Sequence, residues 1–418
     1  MRLFLLILSL AASLSAQPTA AAIALTHATV IDGTGAAPLT DQTILIRNGI
    51  IASVGPSTAP VPSGVQAEDL TGKFVTPGLI NAHVHITRNG DLVHYRNLLG
   101  RLLLDGVTAI RDLAGDARIL GYLAREARID APGWINAPGW PDIYYSALMA
   151  GPTFFSEDPR VADTSRGILL GTAPWMRAID ETTDLRLAVA EAKGTGATGI
   201  KLYANLPASL VKAVTAEAHR QGLLVWAHST VFPAKPSDLI EAGVDVVSHV
   251  PYLAFEAEPR VPADYNARGK NDFTRVRPDD PKITALLAQM KEHGTILDAT
   301  LYPFQKSAAK GILPWSYAVT RAAHQLGIPI DAGTDSDGPP LVDELILLVK
   351  ECGFTPLEAI RSATQVSAMT IGQSARRGAI APTMAADLVV LSADPTQDIA
   401  NLRKIVAVYK DGRVFPIK

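Results

Sequence analysis

The stretch Val75-Thr76-Pro77-Gly78-Leu79-Ile80-Asn81-Ala82-His83-Val84-His85-Ile86 reads, in its second half, as a buried strand with two histidines on one face. Side chains alternate across a strand with a period of two, so His83 and His85 point one way and Val84 the other. Two imidazoles on one rigid face are the beginning of a metal site, and imidazole suits zinc and its first-row neighbours. A histidine pair in a strand is equally compatible with a hydrogen-bonded core pair, so further ligands have to come from elsewhere in the chain.

The 418 residues suffice for one large α/β barrel plus a minor domain. Hydrophobic residues at 48% and charged ones at 19% give a globular balance with neither an acidic nor a basic tail. A formal net charge of −3 supplies no attraction for nucleic acid, which leaves a small neutral or mixed-charge molecule as the expected partner. At the N-terminus, Arg2 precedes the apolar run 3–8, and small residues lead to Ala16. That is the layout of a secretory signal, with cleavage after Ala16 or Ala22, and it predicts an exported protein, periplasmic or secreted. The apolar core is too short for a stable membrane span. Cys352 is the single cysteine, so no internal disulfide forms; it precedes Gly353 at an expected helix end and reads as a structural thiol.

Asn48-Gly49 lies between two β-branched runs, and Asp411-Gly412 stands between two more near the C-terminus. Both pairs suit a tight hairpin turn that needs positive φ. An isolated hairpin is marginal in water, so the two chain ends are expected to pair into one small β-domain. The predicted organisation is a signal peptide over 1–22, a composite β-sandwich from 23–72 plus 379–418, and a barrel over 73–378. Within that span short apolar runs alternate with helical patterns, the mark of βα units and a parallel sheet. After the first strand the expected barrel strands are Val107 to Asp112, Trp134 to Ala137, Thr198 to Tyr203, Leu223 to Ser229, Val244 to Val250, Thr295 to Thr300 and Ile328 to Asp335. Between Trp140 and Trp175 the pattern is irregular, and this insertion is expected to form a lid or pocket wall.

Barrel enzymes place their chemistry where strands end. Lys201 is a charge inside the apolar run Gly199-Ile200-Lys201-Leu202; it is either half of a buried ion pair or a ligand, since burying a lone ammonium is costly. His228 and His249 each close an apolar strand that follows a helix stopped by glycine, at Gly222 and Gly243. Asp335 stands in Asp331-Ala332-Gly333-Thr334-Asp335-Ser336-Asp337, where small residues let the backbone approach a site. His219, His293 and His324 sit just before helix-stopping glycines, where imidazole suits the helix dipole, and these together with His27 and His94 are assigned no metal.

Pro77-Gly78-Leu79-Ile80-Asn81-Ala82-His83-Val84-His85 resembles the first barrel strand of the amidohydrolase superfamily of metal-dependent hydrolases, and the likeness extends over nearly the whole chain. The resemblance implies a (β/α)8 TIM-type barrel with a small flanking β-sandwich. It further implies that His83, His85, Lys201, His228, His249 and Asp335 are metal ligands, that Lys201 is carboxylated to bridge two ions, and that Asp335 is the catalytic base. The cofactor implied is one or two divalent metal ions, zinc first. A bridging hydroxide and a polarised carbonyl then hydrolyse an amide bond.

The strand-four lysine resembles that of an imidazolonepropionase/prolidase-like subgroup, and the resemblance implies a dipeptide or an N-acyl amino acid as substrate. One departure is that the segment from Ala204 to Gln221 reads as nearly one helix, where dipeptidase-like members carry a longer glycine-rich segment. Tyr203, Tyr252 and Tyr302 follow strand ends and are candidates to face the substrate, and Arg88 is a candidate partner for a substrate carboxylate. The alternatives are a cyclic amide or lactone hydrolase, a deaminase of the same superfamily, or a non-catalytic binding relative. A deaminase would lack the lysine and carry a glutamate soon after the fifth-strand histidine, where this chain has Ser229-Thr230-Val231. A homo-oligomer is compatible with all of these readings.

Overall fold

The computed structural model describes residues 22–88, 90–127, 139–268, 272–336 and 341–417. The predicted signal segment, apart from Ala22, lies outside them, as do the expected strand Trp134 to Ala137 and Asp337.

Both hairpins form where the turn chemistry places them. Asn48 and Gly49 have φ of 52° and 74°, Asp411 and Gly412 of 46° and 75°, and the flanking pairs are Arg47 with Ile50 and Lys410 with Arg413. Left-handed backbone at both central positions matches the twist of the strands it joins. The two ends meet through Phe74–Pro77, which pairs antiparallel with Leu388–Leu391 on one side and parallel with Ala22–Val30 on the other. The result is one eight-stranded mixed sheet with its own apolar core of Leu25, Ile44, Val75, Leu388 and Tyr409. Phe74–Pro77 thus belongs to the small sheet, and the chain enters the barrel at Gly78. A side chain there is excluded, because a Cβ would lie 2.2 Å from the Thr108 hydroxyl.

Seven parallel barrel strands follow in the order Leu79–Val84, Val107–Asp112, Asp142–Ala150, Gly199–Leu202, Leu224–His228, Val246–Ser248 and Ile296–Asp298. Residues 330–336 occupy the eighth position, joined by the parallel bridges Leu297 to Ile330 and Val84 to Ser336. Helices such as Ala208–Arg220, Pro281–His293 and Leu341–Cys352 pack outside. Ala208–Arg220 is the near-continuous helix expected after Lys201.

The third strand corrects the sequence reading. It is Asp142–Ala150, inside the stretch read as irregular. Its sequence, Asp-Ile-Tyr-Tyr-Ser-Ala-Leu-Met-Ala, mixes polar and apolar residues without a helical or alternating signature, because both of its faces are covered by protein. The rest of that stretch does build a wall, through the short helices Pro152–Glu157 and Arg160–Ser165 and the hairpin at 172–178. No helix among the described residues is long and apolar enough to cross a membrane.

Candidate active site

All six predicted ligands line one cavity of about 320 Å³ at the C-terminal ends of the strands. The His85 Nε2 lies 2.9 Å from Asp335 Oδ1, and the His83 Nε2 3.4 Å from the same oxygen. His249 Nδ1 is 3.8 Å from Asp335 Oδ2, and the rings of His228 and His249 stand 4.8 Å apart. Donor atoms of His83, His85 and Asp335 fall within 4.8 Å of one another, close enough to share one ion.

Backbone geometry aims two of these groups. His249 and Asp335 follow strand ends with φ of 75° and 45°, left-handed values that cost a non-glycine residue about 1–3 kcal/mol. Barrel hydrogen bonds hold them there: the His249 N–H donates to the Asp298 carbonyl at 2.9 Å, and the Asp335 N–H to the His83 carbonyl at 2.9 Å. Gly333 permits the second contact, because a Cβ on it would lie 2.4 Å from the His83 Cβ.

The ring nitrogens divide their work. His83 Nδ1 pairs with Asp298 at 2.6 Å, which leaves its Nε2 on the Asp335 side, and His249 Nδ1 pairs with the Thr300 hydroxyl at 2.8 Å. His228 Nδ1 is buried with no hydrogen-bond partner among the described residues. An orphaned buried nitrogen is costly, and a cation in the cavity would satisfy it. Burial holds the imidazoles of His83, His228 and His249 below their ordinary pKa, His249 at about 3, so they are neutral donors at neutral pH. Burial alone would raise the Asp335 carboxyl, but His83, His85 and His249 outweigh it and hold it well below the usual carboxylate range. Neutral imidazoles around an ionised carboxylate are a fitting donor set for a divalent cation.

Lys201 is 1% exposed, and its Nζ donates to Ser248 Oγ at 3.2 Å. No carboxylate of a described residue lies within ion-pair contact of it, and Asp298, Asp335 and Asp331 act on it at longer range. Burial lowers its ammonium to about 7. Ser248 Oγ in turn donates to Asp298 at 2.8 Å. Below lies a buried charge cluster that the sequence reading missed: Arg111 donates to Asp298 at 3.2 Å and Asp331 at 3.3 Å, with its guanidinium 5.2 Å from the Trp226 ring centre. Arg111 and Asp298 are charges in or at the end of apolar strands, as Lys201 is.

Among the substrate candidates, Arg88, Tyr203 and Tyr252 line the cavity, whereas Tyr302 is not part of its wall; Pro303 and Phe304 beside it are. Tyr302 instead gives its backbone N–H to buried Glu344 at 2.6 Å. Arg160, at the start of the short helix Arg160–Ser165, and Tyr265, in an irregular segment, complete the wall, and neither stretch is long enough to show a periodicity that locates them. Tyr203 and Tyr265 stand 4.0 and 5.9 Å from the His228 ring. The histidines assigned no metal lie elsewhere: His219 pairs with Asp245, His27 with Asp41, and His324 stacks on Phe354.

A parallel barrel whose strand ends converge histidines, a lysine and an aspartate on one cavity defines a class of hydrolytic barrel enzymes. The sequence profile of the amidohydrolase family matches residues 74–415, and the chain belongs to that family. It is similar to ochratoxinase of Aspergillus niger, 26% identical over 442 residues that span 90% of this chain and 83% of the relative. Imidazolonepropionase of Ralstonia nicotianae is 25% identical over 409 residues, 91% of this chain and 94% of the relative. The solved structure of a Xaa-Pro dipeptidase with bound methionine in the active site shares the fold, with a TM-score of 0.74 and 19% identity over 95% of this chain and all of that one. The chain is accordingly a hydrolase acting on carbon–nitrogen amide bonds of small molecules.

Proposed function

We propose that this enzyme hydrolyses the amide bond of a dipeptide or N-acyl amino acid with a free carboxylate, using zinc held at the six-residue site. The observation that carries the carboxylate is Arg88: half-buried on the cavity wall beside His85, it forms no hydrogen bond or ion pair with a described residue. A guanidinium so placed is matched by a planar anion.

His83, His85, His228, His249 and Asp335 would hold the cation, with Lys201 completing the set for a second ion. Lys201 is proposed to add carbon dioxide at its neutral Nζ, releasing a proton and becoming a carbamate. When bound, the cation supplies Lewis acidity, polarising the scissile carbonyl and acidifying water. Asp335 takes a proton from the attacking water and delivers it to the leaving nitrogen. The water oxygen joins the carbonyl carbon, the C–N bond breaks, and a neutral amine departs. Arg88 orients the carboxylate, and the tyrosine wall excludes water. A deaminase is disfavoured because no acid stands in the three positions after His228: the Ser229 and Thr230 hydroxyls donate to the carbonyls of Ser248 and Ala234. We further propose export, with removal of the N-terminal apolar segment, which cell fractionation and N-terminal sequencing of the mature protein test.

The test of the site is elemental mass spectrometry of protein purified without chelators and with bicarbonate present. Two zinc-like ions per chain, falling in Lys201→Ala, are expected. Asp335→Asn should stay folded and lose about 10²–10⁴-fold in kcat. One ion, indifferent to Lys201, would overturn the bridged site, and full activity of Asp335→Asn would overturn the base.

A further inference from the structure

A second cavity, of about 50 Å³, opens beside the first, and the two share His85, Arg88, Arg160 and Tyr203 in their walls. Beyond that rim the lining turns apolar, with Leu148 and Met176 from the third strand and its neighbouring hairpin, and Phe154 and Val161 from the two short helices above them. Leu148, Phe154, Val161 and Met176 are all buried, so their positions are set by packing. Apart from Arg88 on the shared rim, the charged and hydroxyl groups beside the apolar lining are occupied. Arg160 Nε donates to Asp158 at 2.9 Å, and the Thr164 hydroxyl donates to the Val161 carbonyl at 3.3 Å. A polar substituent pushed past the rim, away from Arg88, would lose its water without gaining a partner.

Size narrows the occupant. A water-sized group needs roughly 10–15 Å³ of such space, so the cavity holds about four of them. Four carbon-sized groups make an isobutyl chain. An apolar cavity that accommodates a benzene ring is about 150 Å³, well beyond what is present.

We infer that this side cavity is the specificity pocket of the enzyme, taking the branched aliphatic side chain, as in leucine, of the amino acid whose carboxylate Arg88 holds. The inference rests on the amino-acid amide reading above. The shared rim gives it its geometry: Arg88 and His85 border both cavities, so a carboxylate on Arg88 leaves the neighbouring side chain facing the apolar space while the amide faces the ligand set.

The test uses the metal-loaded full chain and racemic N-acetyl and glycyl derivatives of glycine, leucine and phenylalanine, read as kcat/KM. Thermal shifts with the three free amino acids provide a readout independent of turnover. Leucine derivatives should exceed both others by about tenfold or more, the range that one or two methylenes contribute in an apolar pocket. Val161→Phe, which fills the cavity, should cut the leucine-to-glycine ratio about tenfold. Met176→Ala, which enlarges it, should raise the phenylalanine-to-leucine ratio by a similar factor, and it carries the test alone if Val161→Phe does not fold. A flat profile, or a wild type that prefers phenylalanine, overturns the pocket while leaving the amide reading standing. No turnover of any derivative, with no thermal shift, overturns both.

Discussion

Arg111 sits at the floor of the site, fully buried, and replacing it by methionine keeps a straight, apolar side chain while deleting the guanidinium. At 3.2 Å from Asp298 and an effective dielectric of about 20, its Coulomb attraction is about 5 kcal/mol. The loss should fall below the sum for two carboxylates. Burial and the adjacent Asp298 push the Asp331 carboxyl well above its ordinary pKa, so it holds its charge less firmly than Asp298 and gives up less. Asp298 is held ionised: His83 and Arg111 lower its pKa against the opposing effect of burial. In the variant it keeps the His83 and Ser248 hydrogen bonds. Stranding one partner of a buried pair typically costs about 3–5 kcal/mol, and that is the expected loss for Arg111→Met. Asp331→Asn, which removes the carboxylate whose charge burial disfavours, should cost less than about 1 kcal/mol. Urea unfolding of the metal-free proteins at equal m-values measures both, free of metal linkage. A loss under about 1 kcal/mol for Arg111→Met, or equal losses for the two variants, would refute the reading that Asp298 is the main charge partner of Arg111.

Two further outcomes follow from close packing and from burial. Gly333→Ala would drive a methyl to 2.4 Å from the His83 Cβ and 2.9 Å from Asp298 Oδ1, and neither strand can yield. Metal per chain should fall and kcat/KM drop about 10²-fold, whereas Gly194→Ala, which meets nothing within 4 Å, should behave as wild type; equal metal contents would sink the argument. Glu344 is buried, and burial pushes it from 4.5 up to about 8, although its oxygens accept the N–H groups of Leu301 and Tyr302. Its folded pKa is raised, so the proton is bound more tightly in the native state, and stability present below pH 4.5 is lost as the pH rises towards about 8. Urea midpoints across that window should fall in the wild type and stay flatter in Glu344→Gln; parallel curves would show that Glu344 titrates normally.

Local chemistry explains what could be read before folding. The hairpins at Asn48-Gly49 and Asp411-Gly412 follow from positive φ, and His83, Lys201, His228, His249 and Asp335 stood out as polar groups in or ending apolar runs. Those signals depend only on residues within a few positions of one another. The strand Asp142–Ala150 carries no such signal, because what makes it a strand is pairing with Val107–Asp112 and Gly199–Leu202. Arg111 and Asp298 are 187 residues apart, and only barrel closure shows that they are partners. The same holds for Glu344, whose carboxylate serves the start of the short helix Leu301–Phe304, 43 residues away, and for Arg160 and Tyr265, which reach the cavity from stretches too short to show periodicity. The chain alone therefore determined a barrel carrying a histidine-rich donor set, since strand period and the cost of buried polar groups are local physics. Which nitrogen each histidine turns to the cavity, which carboxylate keeps its charge and where the apolar side pocket opens were decided by tertiary structure, because each depends on a neighbour brought close only by folding.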